Sequence, residues 1–352
     1  MKKDKPLLSI CIPTYNRKEY LKNLLLQLKE LLKNNELDIE VCISDNNSGD
    51  GTWEFISKIA SESSKIKIER QKENIGGNQN QIGVTALASG NWILVMGDDD
   101  ILIEENFIKL CSILPSMNRY ERIILNTKIS EEQNLFEIKD GHLEIEELRE
   151  SLIDSIAKFG FVGSHLISFE VAKIMRGIDF DDLRGWSGIG TFFHTALEKD
   201  NFFFSLPVVW QDANGQALEW QANHWLQLVL RQLQVFRINY KNGQIDSFKM
   251  KLIRSHLFSI QFLKTYYSSF LYLPKDTNQI INSYQYKQLI KDLPIYLSLL
   301  HRAIVFLPNL LPLKLHYAFI KNILRRDIDQ YVYTGKLDEK DGNTQDPDIF
   351  NF

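Results

Sequence analysis

The chain has 352 residues, of which 44% are hydrophobic and 24% charged; this suits about two globular domains and excludes a disordered chain. Its 3 cysteines show no Cys-x-x-Cys spacing and no His-x-x-x-His pair accompanies them, which argues against a disulfide scaffold or structural zinc and for a reducing compartment. The net charge of −4 is unevenly spread, with −11 over residues 1–220, +10 over 221–334 and −3 over 335–352.

The start, Met1 to Pro6, is charged and has no signal-peptide pattern, so a cytoplasmic protein is expected. Leu7–Ile12 is an apolar run of strand type. Leu21, Leu24, Leu25, Leu28, Leu31 and Leu32 then fall on one face of a helix over Tyr20–Lys33. Ile39–Ser44 predicts a second strand, Gly51–Ala60 a helix and Lys65–Arg70 a third strand. Gly77–Ser89 predicts a helix, Trp92–Met96 a buried strand, Glu104–Leu114 a helix and Arg122–Thr127 a further strand. Strands alternating with helices imply α/β class: a mainly parallel sheet with helices on both faces. In such sheets ligands bind beyond the carboxyl ends of the strands. The loops to inspect are therefore Pro13–Arg17, Asp45–Asp50, Asn74–Asn80 and Gly97–Asp100.

Gly97-Asp98-Asp99-Asp100 directly follows the buried Trp92–Met96 run. Three adjacent carboxylates repel one another, and a divalent cation relieves that repulsion. Oxygen ligands suit Mg²⁺ or Mn²⁺, which commonly bridge one or two carboxylates to a diphosphate. A solvated acidic turn is the alternative. Asp45 ends the second strand and can accept from a base or ribose donor. Gly76 and Gly77 would let backbone approach a phosphate closely, or simply make a turn.

Taken as a set, the four loops resemble those of family 2 glycosyltransferases of GT-A fold. The resemblance is carried by Leu8-Ser9-Ile10-Cys11-Ile12-Pro13-Thr14-Tyr15-Asn16-Arg17, Ser44-Asp45-Asn46-Asn47-Ser48, Asn74-Ile75-Gly76-Gly77-Asn78 and Trp92–Leu102, over about residues 7–127. Within the family the Gly-Asp-Asp-Asp run is similar to the abequosyltransferase-type enzymes of bacterial surface-polysaccharide synthesis. The resemblance implies inverting transfer of a sugar from a UDP-, dTDP-, CDP- or GDP-sugar to an acceptor hydroxyl on a glycan or lipid-linked molecule. It implies that Pro13, Thr14, Tyr15, Arg17, Asp45, Asn47, Asn74, Gly76, Gly77, Asn78 and Asp98 line the nucleotide-sugar site. Asp98, Asp99 and Asp100 would serve Mn²⁺ or Mg²⁺. Gly97 stands where the family pattern has its first Asp, so Asp99 takes the metal-ligand position and Asp98 covers for the missing carboxylate.

A base must remove the acceptor proton. The family keeps Glu-Asp some 15–20 residues before a Leu-Pro strand end; aligned on Leu206-Pro207, that place reads Gly188-Ile189. Asp181, Asp182 and His194 are the nearby candidates, with His165 behind them. Domains are expected at 1–217 (catalytic), 218–334 (basic, apolar and helical, with helices at Leu218–Phe236, Asp246–Leu271 and Ser283–Phe306) and 335–352 (an acidic, disordered tail). The basic region is suited to an anionic membrane surface, because Leu293–Leu313 is apolar and flanked by Lys287, Lys291, Lys314 and Lys321. That would make the protein peripheral on the cytoplasmic face of the inner membrane. A homodimer or lid is the alternative, and no nucleic-acid motif accompanies the charge. No stretch reaches about 18 uncharged apolar residues, so no spanning helix is expected. Competing functions are a degenerate domain used as a binding scaffold, suggested by the missing Glu-Asp, and a nucleotidyltransferase, whose Gly-rich basic first loop Pro13–Arg17 does not match.

Overall fold

The computed structural model describes residues 5–137, 139–143, 161–177 and 200–211. All of them lie in residues 1–215, the first of two compact units of the chain. The first elements are β1 (Leu8–Thr14), α1 (Lys18–Leu31), β2 (Ile39–Asp45), α2 (Thr52–Ala60), β3 (Ile66–Arg70), α3 (Gly77–Gly83) and β4 (Trp92–Val95). They follow the expected order, with ends shifted by a residue or two; α3 passes into a 3-10 turn at Val84–Leu87. Next come β5 (Ile101–Leu102), α4 (Glu104–Ile113), β6 (Arg122–Ser130), β7 (Gln133–Asn134), β8 (Gly141–Leu143), β9 (His165–Ser168), α5 (Phe169–Arg176) and β10 (Asn201–Trp210).

The sheet order is β3-β2-β1-β4-β9-β6-β10-β5, with β7 on β6 and β8 on β10. β3, β2, β1 and β4 are parallel neighbours, as are β6 and β10. β9 lies antiparallel between β4 and β6. The sheet is thus mixed and largely parallel.

Side chains alternate between two buried layers because successive strand residues point to opposite faces. Ile10, Ile12, Val41, Ile43 and Leu94 pack with the leucines of α1, Ile56 and Ile59 of α2 and Phe107 and Leu110 of α4. Cys11, Cys42, Ile93 and Val95 face the other way, against Val84 and against Val171, Ala172 and Met175 of α5. Helices therefore cover both faces, and the central strands are apolar on both sides, as buried parallel strands must be. Leu21, Leu24, Leu25, Leu28 and Leu31 of α1 are all buried, each worth about 1.5–3 kcal/mol on transfer from water. The three cysteines are free and buried. Burial raises the Cys11 thiol well above its ordinary value, so it behaves as a small apolar residue.

Several elements depart from the sequence pattern, among them the short strands β5, β7 and β8, which it does not mark. Leu206-Pro207 does not end its strand: β10 continues to Trp210, and its register against β6 shifts on either side of Pro207. Proline has no N–H to give the ladder, so the strand bulges there and resumes. Helix α5 was not anticipated; Ser168 caps it by accepting from the Val171 N–H at 3.2 Å.

Candidate active site

Three strands of the parallel half end side by side. Thr14 of β1 is in register with Asp45 of β2, and Cys11 of β1 with Val95 of β4. The loops that leave these ends meet above the sheet, and their polar side chains join them.

The first and second loops are joined through Asn16, whose N–H donates to Ser48 Oγ at 2.8 Å and whose Oδ1 accepts from Gly49 N–H at 2.8 Å. Asn16 and Asn47 both hold positive φ, 52° and 66°, which asparagine tolerates better than most residues. The second and third loops are joined through Asn46, which donates to Asn74 Oδ1 at 2.7 Å and accepts from Ile75 N–H at 2.9 Å. Asn74 Oδ1 also accepts from Gly76 N–H at 2.9 Å. Gly76 has φ +83°, so its glycine identity is conformational. A Cβ on Gly77 would meet nothing within 4 Å, so the surface there is open.

Asp45 is fully buried. Its carboxylate accepts from the Ser48 N–H and pairs with Arg70 Nε at 3.3 Å. Arg70, at the end of β3, also donates to the Ser48 carbonyl at 2.7 Å and lies over the Trp53 ring. Asn80, likewise buried, accepts from Ser44 Oγ at 2.6 Å and donates to the Ser44 carbonyl at 3.1 Å. Neither Arg70 nor Asn80 was singled out from sequence. The available signals were a charged last residue on β3 and a polar residue on the inward face of a short helix.

The acidic run meets the first loop directly. Asp98 is 5% exposed, accepts from Thr14 Oγ1 at 2.6 Å and from Arg17 Nε at 2.8 Å. A second Arg17 nitrogen pairs with Asp99. Asp100 turns back on its own loop and accepts from the Gly97 N–H at 3.0 Å. Burial, the largest influence, raises the Asp98 carboxyl to about 6; Arg17 opposes this and neighbouring Asp99 adds to it. A Cβ on Gly97 would stand 2.8 Å from Asp99 Oδ1 and 2.9 Å from Asp100 Oδ2, so a side chain there would push against both carboxylates. Pro13 lies within β1, Tyr15 is exposed at the rim, and Asn47 and Gly77 are also exposed.

The carboxylates of the run do not converge as a cage, and no group of three His, Cys, Asp or Glu able to hold a metal occurs among the described residues. Asp99 is the partly exposed member, with a side chain 21% accessible. One such carboxylate is a sufficient protein ligand where a diphosphate and water complete the shell of Mg²⁺ or Mn²⁺, so the donor set fits that use. Asp181, Asp182 and His194 lie outside the described residues. His165 is buried at the start of β9.

Residues 9–164, which hold all four loops, match the model of Glycosyl transferase family 2. This stretch belongs to that family. The chain is 42% identical over 111 residues to abequosyltransferase RfbV of Salmonella typhimurium strain LT2, an alignment spanning 31% of this chain and 33% of that protein. It is 29% identical over 134 residues to the GalNAc(5)-diNAcBac-PP-undecaprenol β-1,3-glucosyltransferase of Campylobacter jejuni, spanning 37% of this chain and 41% of that one. The chain thus spans between a third and two fifths of the length of these curated relatives. In three dimensions it is similar to S. aureus TarS 1-349 in complex with UDP-GlcNAc, with TM-score 0.59 and 15% identity over 90% of this chain and 91% of that one. At that identity the likeness speaks for the fold, which is GT-A. No helix among the described residues is long and apolar enough to cross a membrane.

Proposed function

We propose that the chain is an inverting, metal-dependent glycosyltransferase that moves a sugar from a nucleotide-sugar to a hydroxyl of a bacterial surface-glycan or lipid-linked acceptor. The observation that carries this is the meeting of Thr14, Arg17, Asp98 and Asp99 at the carboxyl ends of β1 and β4, inside the family 2 stretch. Membership of that family and the likeness to an abequosyltransferase and an undecaprenol-linked glucosyltransferase support it.

In this proposal the donor lies across the loops, its base towards the Asp45 loop and its phosphates towards Asn74–Asn78 and the acidic run. Asp99 would hold Mn²⁺ or Mg²⁺, which would supply positive charge for the leaving diphosphate. Thr14 and Arg17 keep Asp98 in place beneath it. The acceptor oxygen attacks the anomeric carbon from the side opposite the diphosphate. The bond from that carbon to the phosphate oxygen breaks, its electron pair leaves with the nucleoside diphosphate, and the configuration inverts. The acceptor proton passes to a base, for which Asp181, Asp182 and His194 remain the candidates. Loss of activity below about pH 6.5 would select His194, and a limb near pH 4 a carboxylate.

The experiment is thermal unfolding of the full chain with UDP-, dTDP-, CDP- and GDP-sugars, with and without Mn²⁺. A donor at 100 times its dissociation constant adds about 2.7 kcal/mol. A donor that stabilises only with Mn²⁺ supports the reading; no stabilisation by any of them overturns it. The charge of +10 over 221–334 further supports association with an anionic membrane surface on the cytoplasmic face. Vesicle binding that weakens with salt would favour it, and salt-insensitive or absent binding would favour a dimer or lid.

A further inference from the structure

Arg17 holds two neighbouring carboxylates with one guanidinium. Its Nε donates to Asp98 Oδ1 at 2.8 Å, and its Nη2 pairs with Asp99. These two partners differ. Asp98 is enclosed and also takes the Thr14 hydroxyl, so it has little freedom. Asp99 is partly open to solvent, and the Arg17 side chain is 36% exposed. The backbone of Arg17 is anchored, because its carbonyl accepts from Leu21 N–H at 3.0 Å in the first turn of α1. Only the side chain is therefore placed to move. A resting surface lies beside it: the Tyr20 ring centroid is 4.3 Å from the guanidinium carbon.

Arg17 takes one oxygen of Asp99, Oδ2, so a divalent cation bound at that carboxylate would lie close beside the guanidinium. Two cations on one carboxylate repel each other strongly in a half-buried site. A guanidinium that lets go of a carboxylate does so most readily when a second planar pair of oxygens is offered, and a diphosphate offers one.

We propose that Arg17 is a resident cation that competes with the metal for Asp99: the metal ion binds by displacing the guanidinium, and the displaced guanidinium turns to the diphosphate. This rests on the metal-dependent reading of the site. It makes Arg17 a positioning residue that couples two ligands. Metal alone is held weakly, diphosphate alone finds Arg17 engaged, and together each favours the other.

The test is binding of Mn²⁺ alone to the full chain, followed by the electron paramagnetic resonance signal of free Mn²⁺. Arg17→Gln removes the competitor and is expected to tighten Mn²⁺ binding at least about tenfold. Arg17→Lys keeps a charge and should stay within about threefold of the parent. Asp99→Asn should lose the site. Mn²⁺ binding to Asp99→Asn equal to that of the parent would sink the metal reading itself. Loss of binding in Asp99→Asn, with no tightening in Arg17→Gln, would leave that reading standing and overturn the role of Arg17. If Arg17→Gln does not fold because Asp98 is left buried and unpaired, the pair Asp98→Asn and Arg17→Gln/Asp98→Asn gives the same comparison without that charge. The double variant must then bind Mn²⁺ more tightly than Asp98→Asn, and equal or weaker binding overturns the proposal.

Discussion

Two carboxylates are buried at opposite ends of the parallel strands, one at their amino edge and one at their carboxyl edge, and the fold treats them in opposite ways. Glu40, at the amino edge on β2, is 4% exposed. It accepts from Ser9 Oγ at 2.7 Å and Ser89 N–H at 2.6 Å, and pairs with Lys67 at 2.7 Å. Burial pushes its carboxyl up, but Lys67, Ser9 and Ser89 together outweigh that and hold it below the ordinary range. Asp98, at the carboxyl edge, has Thr14 and Arg17, yet burial and Asp99 win and its carboxyl rises to about 6. A buried carboxylate surrounded by enough donors is a clamp. One left beside a second carboxylate with too few donors is held raised, and such imbalance gathers at working sites.

The largest expected effect separates the edges by activity. Asp99→Asn should lower Mn²⁺-supported turnover by about 10²–10³-fold, with stability changed by less than about 1 kcal/mol because the side chain packs little. Near-parent turnover would show that the carboxyl edge is an acidic turn and nothing more.

Next, Glu40→Gln should destabilise the fold by about 3 kcal/mol at pH 7, measured by urea unfolding, because Lys67 and the serines lose their charged partner. A carboxyl held low in the folded state stabilises fully above its ordinary value, and that stabilisation fades as pH falls through the depressed one. The difference between Glu40→Gln and the parent should therefore shrink in acid. A penalty that stays constant would mean that shape, rather than charge, matters at the amino edge.

Asp98→Asn should do the reverse. A carboxyl raised to about 6 favours the fold while protonated, below its ordinary value near 4, and loses that contribution as pH rises through about 6. The variant should then exceed the parent in stability by roughly 2 kcal/mol at pH 7.5, with the gap closing near pH 4. Reduced stability at pH 7.5 would show that Arg17 and Thr14 fully satisfy Asp98, and the contrast with Glu40 would disappear.

The last comparison, ending on the smallest effect at Gly97, is between two glycines. A Cβ on Gly90 would stand 2.7 Å from Ser9 Oγ, 2.8 Å from Ser9 N and 2.9 Å from the Leu8 carbonyl carbon. Backbone cannot yield cheaply, so Gly90→Ala should cost about 2 kcal/mol. On Gly97 the nearest atoms to the Cβ belong to the Asp99 and Asp100 carboxylates, side-chain groups that can swing aside. Gly97→Ala should cost less than about 1 kcal/mol while Mn²⁺-supported turnover falls. Equal stability losses would mean that the two edges are equally rigid.

The sequence by itself determined the strand and helix order from β1 to β4, with α4 and β6 beyond it, because apolar periodicity there is dictated by burial on one helix face or both strand faces. It also marked the four loops, since polar residues directly after buried strands have few other reasons to be there. What only the tertiary structure decided was pairing between distant residues. That Arg17 reaches Asp98 across 81 positions, that Arg70 closes on Asp45, and that Glu40 is neutralised by Lys67 follow from which strands lie side by side. Strand order is set by packing of whole layers, and no local pattern encodes it. The strand that runs on through Pro207 has the same cause: β6 offers it hydrogen bonds on both sides of the proline, and that neighbour is not visible from within the segment.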